Sequence, residues 1–180
     1  MIYFRSDYSL GAHPKVMQAL IDTNMEHTDG YAEDKYSFET ADMIREMIGK
    51  PDAHIHFMVG GTPTNTITIA AALRPFEGVI SADSGHIYVH ETGSVEATGH
   101  RVFAAPTEDG KLRPADIEKV LLHHEDEHTV IPKMVYITHP TENGGVYTKA
   151  ELQALHDCCK KHGLYRNAAA ACLGTALTWP

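Results

Sequence analysis

The residues whose types and setting could do chemistry are the turn Gly60-Gly61-Thr62 and the histidine His86. An apolar run, His54 to Val59, reads as a buried strand ending in the two glycines. Thr62 and Pro63 then fall where a helix N-cap and first helical residue belong, ahead of an Ala/Ile-rich helix from Thr64 to Leu73. Strand, glycine turn and helix N-terminus form a cradle for a phosphate group: free backbone N–H groups and the positive helix end converge, and glycines admit the ligand closely. The glycine spacing is neither that of a dinucleotide fold nor that of a P-loop. An unliganded strand-to-helix turn is the alternative reading. His86 follows a strand and Gly85, so its imidazole could stack on a flat ring or act as an acid or base near neutral pH; Glu91, five residues on, could orient it.

Other polar clusters read as structure. His124 and His128 have the spacing of a zinc-binding helix face, but they sit in a charge run at a helix end, which reads as a solvated turn, and no metal is expected. His54 and His56 share one strand face and read as packing. Thr141 and Glu142 read as a polar turn. No nucleophile elbow of the GxSxG type occurs. Cys158 and Cys159 lie in a helix and read as packing residues.

Alternating elements must position these groups. Helices are expected from Pro14 to Asp22, from a Ser37 cap to Gly49, at Thr64–Leu73, from His86 to Glu91, from Pro114, and from the capping box Thr148–Glu151 to His162. Strands are expected at His54–Val59, Glu77–Ala82, Arg101–Ala104, Met134–Thr138 and from Leu164. This order predicts an α/β fold with a mainly parallel sheet flanked by helices, with ligands at the carboxyl ends of the strands.

At 180 residues the chain is read as one domain, residues 1–180, with residues 1–14 as an N-terminal arm. A net charge of -9 argues against nucleic acid or an anionic membrane as partner. Three cysteines make no disulfide framework, which fits a reduced, cytoplasmic setting. The first residues lack the pattern of a signal peptide, and no apolar run approaches the roughly 18 residues of a membrane span.

Several segments together resemble one family. Phe4-Arg5-Ser6-Asp7-Tyr8-Ser9, Gly30-Tyr31-Ala32-Glu33-Asp34, Gly60 to Asn65, Gly85-His86-Ile87, His90-Glu91-Thr92-Gly93 and Pro140 to Thr148 resemble, in order, the low-specificity threonine aldolases and their β-eliminating lyase relatives. The resemblance implies part of the large domain of a fold-type-I enzyme dependent on pyridoxal phosphate. It implies the cofactor phosphate at Gly60, Gly61 and Thr62, His86 stacked on the pyridine ring, and Ser6 near a small amino-acid substrate. The implied reaction cleaves a β-hydroxy amino acid to glycine and an aldehyde, in a homo-oligomer.

Two departures accompany it. Relatives carry an Asp-Gly-Ala-Arg-Leu-Gly motif after the next strand. Here the aspartate position falls on Ala169 and the arginine position on Cys172, within a divergent stretch, 166–180. The family's Schiff-base lysine lies beyond that motif, none of the nine lysines has a matching context, and the small C-terminal domain is not in the sequence. Covalent attachment of the cofactor is therefore not expected. The leading expectation is a threonine-aldolase-like chain with impaired catalysis. Alternatives are a non-catalytic remnant that binds a phosphate compound or only self-associates, and another fold-type-I activity of aminotransferase or desulfurase type.

Overall fold

A computed structural model describes residues 10–170. These fall into two compact units, the second beginning at Met58.

Among the described residues, the first unit carries two helices. α1, Pro14–Thr23, starts with Pro14 at its first turn and His13 as N-cap; Val16, Met17 and Leu20 are all exposed. α2, Lys35–Ile48, is capped by Asp34 and not by the expected Ser37. The Asp34 carboxylate accepts hydrogen bonds from the Ser37 backbone N–H (2.9 Å) and hydroxyl (2.7 Å). A carboxylate that accepts both reaches N3 better than a hydroxyl already inside the first turn. Gly49, in the left-handed region, ends α2 as expected.

In the second unit α3 spans Gly61–Ala72, β1 Glu77–Ala82, α4 His86–Val89, β2 Arg101–Ala105, α5 Pro114–Leu122, β3 Ile131–Thr138, α6 Lys149–Lys161 and β4 Tyr165–Ala169. The strands lie side by side in the order β2-β1-β3-β4, every pair parallel. The α/β fold with helices on the sheet is as expected. Both faces are buried, so apolar residues of alternating parity serve different layers. Ile80, Phe103, Val135 and Ile137 pack with Ile117 of α5 and Leu155 of α6. Val79, Val102, Met134 and Tyr136 pack with Ile69 of α3, Ile87 of α4 and Val95.

Two further expectations are corrected. The run His54–Val59 is not a strand: it pairs with none of the four strands, and Phe57 and Val59 are exposed, Val59 by 97%. Apolar β-formers mark a tendency, whereas a strand also needs a neighbouring edge to take its N–H and C=O groups. The third helix starts at Gly61 with Gly60 as N-cap, so Thr62 lies inside the first turn and caps nothing.

Parallel pairing sets the carboxyl ends of β1, β2 and β3 on one edge, where their loops are stitched together. The Asp83 N–H donates to the Ala105 carbonyl (2.9 Å), and the Asp83 carboxylate accepts from the N–H and hydroxyl of Thr107. Thr141 closes its own turn, its hydroxyl accepting from the Gly145 N–H at 2.8 Å.

Gly78 is the tightest point of the sheet. A Cβ there would lie 2.5 Å from the Arg101 carbonyl oxygen and 2.6 Å from the Phe103 ring. Gly78→Ala should therefore cost about 2–3 kcal/mol, because backbone must move to admit it; urea denaturation of the full chain checks this.

Thr148 and Glu151 form the expected capping box, and Glu151 also pairs with Lys111 at 2.6 Å. Hydrogen bonding to Lys111, then to Thr148, holds the Glu151 carboxyl at about 2, against an ordinary 4.5. The folded pKa lies below the ordinary one, so this stabilisation is complete above about pH 4.5 and is lost as pH falls towards 2. Glu151→Gln keeps the cap and should flatten the wild-type loss of stability across that window, read as thermal midpoint against pH.

Candidate functional site

Gly61 and Thr62 open α3, and their N–H groups have no acceptor within the helix. A Cβ placed at Gly61 would meet no atom within 4 Å, so the approach to this end is open. The helix N-terminus thus offers what an anionic group needs: donors, a positive dipole end and space.

One turn further, Asn65 lies four residues from Gly61 and so on the same helix face. It is buried, and its Nδ2 donates to Glu91 Oε1 at 2.7 Å and towards the Tyr136 hydroxyl at 3.4 Å. The Glu91 side chain is wholly buried. Its Oε1 also meets His86 Nδ1 at 2.8 Å, and its Oε2 accepts from the Ser94 hydroxyl at 2.9 Å. The expected pairing of His86 with Glu91 is therefore present. The helix end, Asn65, Glu91 and His86 are one connected arrangement on one face of the sheet.

The chemistry of this arrangement follows from its donors and acceptors. A carboxylate only accepts, so the shared proton belongs on His86 Nδ1, and Nε2 is left as the second functional atom of the ring. The His86 side chain remains 40% exposed, with the His90 ring 5.5 Å away. Burial, then the nearby Glu91 charge, pushes the Tyr136 phenol far above its ordinary value. It stays a neutral hydroxyl that accepts from Asn65 and closes the floor of the network.

Sequence reasoning singled out Gly60, Gly61, Thr62, His86 and Glu91 and gave no role to Asn65, Ser94 or Tyr136. A polar Asn one turn into an Ala/Ile-rich helix was a usable signal; Ser94 and Tyr136 had none. Ser6 and Cys172 lie outside the described residues. Ala169 ends β4, its methyl packed on the layer that holds Tyr136 and Ile69. The lysines of the second unit gather in the other layer. Lys119 is on α5, Lys149, Lys160 and Lys161 are on α6, Lys111 pairs with Glu151, and Lys133 donates to the Gly163 carbonyl.

His124 and His128 do not converge. His124 Nδ1 faces the Val120 carbonyl and its ring meets Phe103 edge-on, while His128 bonds Asp126. A cavity of about 410 Å³ lies beside the edge strand β2, lined by Tyr88, Arg101, Phe103, Lys119 and His124, and includes none of the cradle residues. No helix among the described residues is long and apolar enough to cross a membrane.

Known proteins share this arrangement of chain and fold. The sequence is 32% identical over 164 residues to a low-specificity L-threonine aldolase of Pseudomonas aeruginosa, covering 90% of this chain and 47% of the relative. It is likewise 32% identical to the enzyme of that name from a Pseudomonas species, covering 98% of this chain and 54% of the relative. The structure superposes on a threonine aldolase of Leishmania major with a TM-score of 0.96 and 49% identity, over 97% of this chain and 51% of that one. The chain spans about half the length of these relatives. Residues 3–168 match the beta-eliminating lyase family, and the chain belongs to that family.

Proposed function

We propose that this chain is the pyridoxal-phosphate-binding part of a threonine-aldolase-like lyase: an incomplete large domain, residues 1–180, with residues 1–14 as its arm. The observation that carries the reading is the connection of the α3 N-terminus to His86 through Asn65 and Glu91. Gly60, Gly61 and Thr62 would take the cofactor phosphate, and the half-exposed His86 ring would lie against the pyridine. Ser6 is assigned to the substrate by family resemblance. Assembly as a homo-oligomer in the cytoplasm belongs to the same reading.

Pyridoxal phosphate, when bound, supplies the electron sink for cleaving the Cα–Cβ bond of a β-hydroxy amino acid to glycine and an aldehyde. The chain's own residues bind and orient. The open cradle at Gly61 binds the phosphate through backbone N–H groups, and Glu91 and Asn65 hold the His86 imidazole in one orientation and tautomer. His86 Nε2, the ring atom not bonded to Glu91, is then the one directed at a ligand.

The fit is partial. Where a carboxylate would pair with the ring nitrogen, Ala169 presents a methyl group within an apolar cluster. The lysines of the second unit stand in the layer opposite His86. These two facts favour, as the second reading, a chain that binds the cofactor without turning over substrate.

The test is incubation of the full chain with pyridoxal phosphate, dialysis, borohydride reduction and mapping of any adduct by mass spectrometry. Cofactor retained without a stoichiometric lysine adduct, and no glycine released from threonine, is the expected result. A stoichiometric adduct on one lysine would restore the catalytic reading. Loss of all cofactor on dialysis would overturn both. Product analysis with threonine, serine and cysteine separates an aldolase from an aminotransferase or desulfurase.

A further inference from the structure

On the sheet face away from His86, α5 and α6 bring together Glu118, Cys158 and His162. One ligand atom from each lies within 4.8 Å of the others. Cys158 and His162 stand four residues apart over the last turn of α6, so they share a face. Glu118 reaches across from α5, its Oε1 3.2 Å from His162 Nε2. Two ligands bonded at about 2.1 Å to a tetrahedral ion stand about 3.4 Å apart, so this pair is already at a metal-ligand spacing. The same carboxylate holds the Lys161 ammonium at 2.7 Å, so the position already draws a cation. The Cys158 sulfur lies 4.0 Å from the Pro114 carbonyl, directed towards α5 and not to solvent.

We propose that Glu118, Cys158 and His162 form a zinc site that clamps α5 to α6. A thiol, an imidazole and a carboxylate are the ligand types zinc accepts, and the thiol selects it over magnesium or calcium. Three protein ligands leave the fourth position to water. Binding exchanges the thiol proton, released to solvent, and the Lys161 contact for three metal–ligand bonds. The site shares no residue with the cofactor cradle, so its test stands apart from that reading.

Cobalt(II) is the probe, because a thiolate bound to it gives a sulfur-to-metal charge-transfer absorption in the near ultraviolet. The full chain, freed of metal by chelation, is titrated with cobalt and then with zinc. The expected result is a band that saturates at one equivalent of cobalt, is abolished by zinc, is lost in Cys158→Ser and is kept in Cys159→Ser. Zinc should also raise the thermal midpoint of the wild-type chain. Lys161→Gln, at an exposed position, removes the competing ammonium and should tighten zinc binding. Absence of the band at stoichiometric cobalt, its survival in Cys158→Ser, or zinc binding not tightened by Lys161→Gln would overturn the site.

Discussion

Replacing Glu91 with alanine should destabilise the second unit by about 3 kcal/mol, among the larger losses expected of any single substitution in this chain. The carboxylate is fully buried and accepts from Asn65, His86 and Ser94, so its removal strands several donors at once. Asn65 suffers most, being itself buried with only the long contact to Tyr136 left. Glu91→Gln should fall between wild type and alanine. One amide oxygen can still accept, but the amide N–H groups face donors where the carboxylate had a second acceptor. Urea denaturation of the full chain, followed by far-ultraviolet circular dichroism, gives the stabilities. The variant His86→Ala separates stability from function: its ring is partly exposed, so it should cost far less than Glu91→Ala while still weakening retention of pyridoxal phosphate. A Glu91→Ala chain as stable as wild type would show that the network does not hold this face together.

Gly61→Asp should affect stability and ligand binding in opposite directions. The open space at Gly61 accommodates a side chain, and an aspartate in the first turn of α3 favours the helix dipole by about 0.3–1 kcal/mol. Replacing a helical glycine adds to this by reducing the entropy of the unfolded chain. The same carboxylate would stand where the phosphate is proposed to bind. Two like charges about 4 Å apart at an effective dielectric near 20 repel by about 4 kcal/mol, and screening leaves a loss of roughly a hundredfold in affinity. Equilibrium dialysis with pyridoxal phosphate measures the affinity, and thermal melting without ligand measures the stability. Retained affinity in a stable Gly61→Asp chain would place the phosphate elsewhere. Lower stability in the absence of ligand would show that Gly61 serves the backbone and not a ligand.

Much of the fold was legible because its signals are local. Six residues of β1 were read at their correct limits, and the Thr148–Glu151 capping box and the Gly49 stop were each visible within four residues of sequence. The cap of α2 was misplaced because Asp34 and Ser37 both suit the role and only backbone geometry chooses between them. The run His54–Val59 misled for a different reason. Its composition suits a strand, but pairing is a property of two segments, and none of the described strands is its partner.

The candidate site divides along the same line. From the sequence alone came the glycine turn and His86 with Glu91 five residues on, each a matter of residue type and short spacing, while the substitutions at Ala169 and Cys172 were visible only through the family resemblance. The tertiary structure alone decided that Asn65 reaches Glu91 across 26 residues and Tyr136 across 71, making a buried carboxylate the joint between the α3 N-terminus and His86. It alone also placed the lysines of the second unit in the layer opposite His86. Sheet register and helix packing set which distant side chains meet, and no local pattern carries that information.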